Sequence, residues 1–113
     1  MEAQLPDTYA AIFREVEEEI RRRRESGKTE AHEDQLPRGT FLRAAEAMTR
    51  HARLLSTRGA GIFTAPAEWP FGAGTWKPPI TVQEASRRAI VFLALEMAAQ
   101  IRERERYPLD PTI

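Results

Sequence analysis

The stretch Ala89 to Ala99, AIVFLALEMAA, constrains this chain more than any other, because as a helix it is apolar almost all round, broken only by Glu96. A helix that offers water no polar face is stable only when other segments surround it. Its start is marked. Thr81-Val82-Gln83-Glu84 has the form of a capping box, with Ile80 and Ala85 at the staple positions, and Pro79 blocks a helix arriving from upstream. Downstream, Arg102 to Arg106 is charged again and Tyr107-Pro108 ends the pattern. The expectation is a helix over residues 81–106 at the centre of the fold.

Two further helices are expected to cover it. In the first, over 8–26, Tyr9, Ile12, Phe13, Val16 and Ile20 form one apolar stripe, Asp7 follows Pro6 as N-cap, and Gly27 supplies the C-cap. On its other face Glu17, Glu18 and Glu19 precede Arg21, Arg22 and Arg23 by four residues, the favourable order for helix ion pairs, which points to a solvated, self-paired helix end. The second helix, over 40–57, has Thr40 as N-cap, a stripe of Phe41, Ala44, Ala45, Met48, Ala52 and Leu55, and Gly59 at its end. Its alanines allow close approach of a neighbour. Lys28 to Arg38 reads as a polar connection. Residues 59–80, GAGIFTAPAEWPFGAGTWKPPI, show no periodicity yet hold both tryptophans, two phenylalanines and four prolines. So many large aromatics argue for an ordered loop packed on the helices. The fold class is therefore all-α: three main helices in one domain, 1–113, with an ordered Pro/Gly/aromatic loop before the central last helix.

No apolar run approaches the eighteen or so residues of a membrane span, and the start of the chain has no basic and apolar secretory pattern. With no cysteine, there is no disulfide framework and no thiolate metal site. Seventeen basic and seventeen acidic residues cancel, which argues against a general nucleic-acid binder and removes the repulsion that opposes self-association. A homo-oligomer is expected.

Three clusters carry chemistry. His32, Glu33 and Asp34 gather polar groups in the first connection, as a weak metal or base site or as a hydrogen-bonded loop. Glu96 among Phe92, Leu93, Leu95 and Met97 needs a partner if buried, supplied by a cation from the first helix or from a second copy. Trp69 and Trp76 with Lys77, Arg87 and Arg88 combine aromatic faces with positive charge, the chemistry of nucleotide recognition, although large aromatics more often fill a core. No phosphate loop, nucleophile elbow or helical His pair occurs. No catalytic residue is assigned.

Glu18, Arg21, Gly27, Thr29, His32 and Asp34, then Gly39, Ala44 and Ala45, then Trp69-Pro70-Phe71, Trp76-Lys77-Pro78, Arg87-Arg88, Val91, Ala99 and Ile101 follow one another in an order that resembles a group of small phage and prophage proteins of mostly unknown function. The likeness covers about residues 15–106; Lys28, Phe92 and Gln100 stand where that pattern has tryptophan, lysine and glutamate. More distantly, the first and last helices are similar to those of MazG-like all-α nucleotide pyrophosphohydrolases. The magnesium carboxylate motif of those enzymes is imitated only loosely, by Glu15-x-x-Glu18 and Glu30-x-x-Glu33.

The resemblance implies a non-catalytic phage accessory protein in the cytoplasm of a bacterial host, binding a small anionic, nucleotide-like ligand and possessing no resident cofactor. Together with the three clusters above, it implies ligand contacts at Arg21, His32, Asp34, Trp69, Trp76, Lys77, Arg87, Arg88 and Glu96. Two other readings stand beside it. One is a magnesium-dependent pyrophosphohydrolase using Glu15, Glu18, Glu33 and Asp34. The other is a module that docks on a host protein through the aromatic loop.

Overall fold

Residues 7–106 are described by a computed structural model and form helices and turns, with no strand among them. α1 spans Asp7–Glu25, α2 Glu30–Asp34, α3 Thr40–Arg58 and α4 Val82–Arg106, with a single 3-10 turn at Ala73–Thr75 between the last two. The all-α class and the three main helices match the apolar periodicities. Pro6 and the expected stop at Tyr107-Pro108 lie outside the described residues.

Glycine ends two of the long helices as expected. Gly27 (φ 97°) and Gly59 (φ 71°) take the left-handed conformation that closes a helix, and the Gly59 N–H donates to the Leu55 carbonyl at 3.1 Å. The starts differ more. Asp7 is already helical rather than a cap. α3 is preceded by Gly39 in a left-handed conformation without a side-chain cap, while Thr40, expected there, is buried and donates its hydroxyl to the Pro37 carbonyl at 2.6 Å. The Pro37–Gly39 turn has taken the hydroxyl that an N-cap would use. At α4 the Thr81 hydroxyl accepts from the Glu84 N–H at 3.1 Å, one half of the capping box. The other half is missing because the Glu84 carboxylate turns to Arg88 at 3.0 Å, and Ile80 is exposed rather than stapled onto Ala85.

α3 and α4 make the most extensive packing in the molecule. Ala44, Ala45 and Ala47 of α3 and Ala85 and Ala89 of α4 are all buried, so the small residues occupy the helix–helix contact as expected. One part of the core joins Val16, Phe41, Val91 and Leu95; the other joins Ala47, Met48, Trp76 and Ala89, and Phe92 packs against both. α4 packs against α1, α2 and α3, which gives it the central place its composition demands. Its enclosure is nevertheless incomplete. Ile90, Leu93, Met97 and Ile101 are 38–62% exposed. They lie three to four residues apart, on the face of α4 turned away from Leu95. On α1, Val16 is buried while Tyr9 and Phe13, on the same stripe, are half exposed. No helix among the described residues is long and apolar enough to cross a membrane.

The segment between α3 and α4 is ordered around its aromatics. Trp69 meets Phe71, Trp76 and Phe92 edge to face at 5.0–5.8 Å between ring centroids, and Trp76 is buried. Both indole N–H groups are satisfied within the segment: Trp69 donates to the Thr75 hydroxyl and Trp76 to the Ile62 carbonyl, each at 2.9 Å. His51, buried on α3, fastens the two ends of the segment. Its Nδ1 accepts from the Ile62 N–H at 2.9 Å, so Nε2 carries the proton and donates to the Pro79 carbonyl at 2.6 Å.

Candidate functional site

The polar connection between α1 and α3 contains a helix of its own. Thr29 caps it by accepting from the His32 N–H at 3.2 Å, and five helical residues then place Glu33 and Asp34 between the C-terminal turns of α1 and α4. Both of those turns are rich in arginine. The wholly enclosed Glu33 carboxylate receives Arg24 at 2.9 Å and Arg23 at 3.4 Å, with Arg102 at 3.7 Å. Arg23 also lies 5.6 Å above the Phe41 ring, so one guanidinium is shared by the carboxylate and the core. Asp34 accepts both Nε and Nη2 of Arg102, at 3.0 and 2.9 Å, and Arg106 Nη2 at 2.5 Å. The hydrogen bond from Arg102 holds the Asp34 carboxyl below its usual range against the opposing effect of burial, and Arg106 adds to this. The reciprocal bond raises Arg102.

Beside this network runs a groove of about 190 Å³ between the α2–α3 connection and the C-terminal half of α4. Leu36, Phe41 and Ala99 line its apolar part; Asp34, Glu96 and Gln100 offer acceptors, and Arg38, Glu103 and Arg106 border it. Most of these charges are already matched, Asp34 by Arg102 and Arg106, and Glu103 by Arg38. Glu96 is different: it accepts a hydrogen bond from Gln100 at 3.1 Å and has no ion pair among the described residues. The expected cation from α1 is therefore not its partner, because the carboxylate is only half-buried and water reaches it. The volume falls below the ~300–1,000 Å³ of pockets that hold a whole drug-sized molecule, so the groove fits a ring or a compact polar group with the remainder outside.

No protein family, curated protein or solved structure matches this chain.

The nine implied ligand contacts do not form one site. Asp34 and Glu96 share the groove. Trp76, Lys77 and Arg88 lie together near the start of α4, where Arg88 donates to the Lys77 carbonyl at 3.0 Å and pairs with Glu84. Arg87 turns to Glu19 of α1 at 3.4 Å. Nine residues of helix separate Arg87 from Glu96, about 13 Å along the axis, so Arg87 and Arg88 do not meet Glu96 in one site. Trp76 is core and Trp69 is packed edge to face, which leaves neither as an open stacking platform. His32 is exposed on α2, and Arg21 is exposed on α1 beside its partner Glu18. The four carboxylates of the magnesium reading are also apart. Glu33 and Asp34 are held by arginines, Glu18 pairs with Arg21 and Arg22, and Glu15 borders a hollow near Thr81 and Arg87. Among the described residues no three acidic or histidine side chains are grouped to hold a metal ion.

Several residues that organise the site escaped sequence reasoning. The self-paired run of α1 is only partly so: Glu18 pairs with Arg21 and Arg22, while Arg23 and Arg24 reach Glu33 and Glu19 reaches Arg87. Arg102 and Arg106, in the charged end of α4, hold Asp34. Their spacing of four was the available signal, since it sets both on one face of α4.

Proposed function

We propose that this protein is a non-catalytic binding module that holds a small nucleotide-like ligand, and that it works as an assembly of copies of itself. The observation that carries the reading is Glu96, a carboxylate without a cation among the described residues, beside an apolar floor and within a groove bordered by Arg38 and Arg106. A heterocycle on Phe41 and Leu36 would give its exocyclic N–H groups to Glu96, and a phosphate outside the groove would meet Arg38 and Arg106. Both arginines are exposed and their present ion pairs are of the surface kind, worth only ~0.2–1 kcal/mol, so an anion replaces them at little cost. The groove takes the ring and leaves the rest of the ligand accessible, which suits sequestration better than turnover. With a motif order that resembles that of small phage proteins, the reading becomes that of a phage accessory protein withdrawing a signalling nucleotide from a bacterial cytoplasm.

The test is a panel of mono-, di- and cyclic nucleotides, followed by thermal shift and calorimetry, with Glu96→Ala as the control variant. Ligand at a hundred times its Kd stabilises the folded state by ~2.7 kcal/mol. Saturable stabilisation that Glu96→Ala removes supports the reading. A panel without effect, or binding indifferent to Glu96→Ala, overturns it.

A further inference from the structure

α4 is composed as a helix to be covered on every side, and its own chain covers only part of it. Leu95 and Val91 face the core, whereas Ile90, Leu93, Met97 and Ile101 form a second apolar row on the opposite side, 38–62% exposed. We infer that the outer face of α4 is the interface with a second copy of this chain, packed antiparallel about a two-fold axis at the level of Leu95.

Area favours a second copy. At roughly 200 Å² for a large side chain, the exposed fractions of these four residues amount to about 370 Å² of apolar surface per chain. Interfaces are about 57% apolar, so the whole contact would reach about 650 Å² per copy and about 1,300 Å² in total, within the ~1,200–2,000 Å² of specific stable interfaces. Charge agrees. The chain is neutral overall, and the row between Ile90 and Ile101 carries no charged residue on its outer face. Antiparallel order sets Leu93 against Met97 of the other copy and Arg104 against Ser86, and it opposes the two helix dipoles. Parallel order would set Arg104 against its own copy.

The inference deepens the assembly part of the proposed function and is independent of the ligand. The full chain is examined by light scattering and sedimentation from about 1 to 100 µM, as wild type and as Leu93→Glu/Met97→Glu, with circular dichroism confirming helicity. Each Glu replaces a side chain exposed within its own chain, so folding is retained while two carboxylates enter the interface. The expected result is a wild-type dimer whose dissociation constant rises at least ~100-fold in the double variant. Because the chain has no cysteine, Ser86→Cys/Arg104→Cys is expected to give a covalent dimer on oxidation, and Ser86→Cys alone is not. A monomeric wild type, a dimer indifferent to the two glutamates, or oxidative pairing through Ser86→Cys alone overturns the inference. A nucleotide panel without effect would overturn the ligand reading and leave this interface standing; nucleotide binding by a monomer would do the reverse.

Discussion

His51→Ala tests whether a single imidazole closes the aromatic segment onto the helices. The ring makes two hydrogen bonds, to the Ile62 N–H and the Pro79 carbonyl, and meets Trp76 edge to face at 5.7 Å. Each hydrogen bond contributes ~0.5–1.5 kcal/mol net, and an edge-to-face aromatic pair contributes a similar amount. Water entering the vacated space re-satisfies one of the stranded backbone groups more readily than both, because Pro79 is buried and Ile62 half-buried. The expected loss is therefore about 2–4 kcal/mol, which for a domain of this size lowers Tm by roughly 8–17 °C. Urea unfolding followed by tryptophan emission reads stability and site together, since both tryptophans belong to the segment. A destabilisation under ~1 kcal/mol with unaltered emission would refute the fastening role, since such a value is less than the sum of two ordinary hydrogen bonds.

A Cβ at Gly61 would overlap the His51 ring, so Gly61→Ala should cost ~1–3 kcal/mol by itself yet add little to His51→Ala; additive losses in the double variant would place the strain elsewhere. For Asp34, the carboxyl is lowered in the folded state, so its stabilisation is complete above the unfolded carboxylate range and declines as pH falls through the folded value. Asp34→Asn should reduce stability near neutrality and flatten its fall below about pH 5, read from urea midpoints between pH 7 and 3; an unchanged acid profile would count against the Arg102–Asp34–Arg106 arrangement. Leu95 and Leu93 lie two residues apart at 1% and 44% exposure, so Leu95→Ala should cost ~2–5 kcal/mol and Leu93→Ala under ~1 kcal/mol in dilute solution. Any larger Leu93 effect must grow with protein concentration, the mark of an interface.

The long helices were legible because their signals are local and repeat. Phe41, Ala44, Ala45, Met48 and Ala52 recur at helical spacing and are buried, and Gly27 and Gly59 end their helices by a conformation that glycine adopts without strain. α2 was not legible, since five residues, four of them polar, are too few to show a period; only Thr29, immediately before that helix, offered a cap. His51 sits three residues after Met48 on the apolar face of α3, so its burial could have been read from the stripe. Its partners could not, being backbone groups of Ile62 and Pro79 that no side-chain pattern announces. The arginines of α1 failed for a related reason. Local pairs at four residues are weak, and an enclosed carboxylate on α2 competes with them successfully because it is otherwise unpaired in a medium less polar than water.

Glu96 and Leu93 show where composition stops being informative. An apolar wheel states that a helix must be covered, but hydrophobic burial is non-directional and does not distinguish a neighbour in the same chain from one in another copy. In α4 the two alternatives occur on opposite faces. Leu95 is covered by its own chain, and Leu93 is exposed on the face where the proposed second copy would pack. Glu96 lies between those faces, next to Gln100 rather than a cation, so it needs neither a buried ion pair nor the membrane-like surroundings that its neighbours suggest. Its carboxylate is instead available at the edge of a groove. The residue that interrupts the most apolar stretch of the chain is thus the acceptor that the proposed function assigns to a ligand's N–H groups.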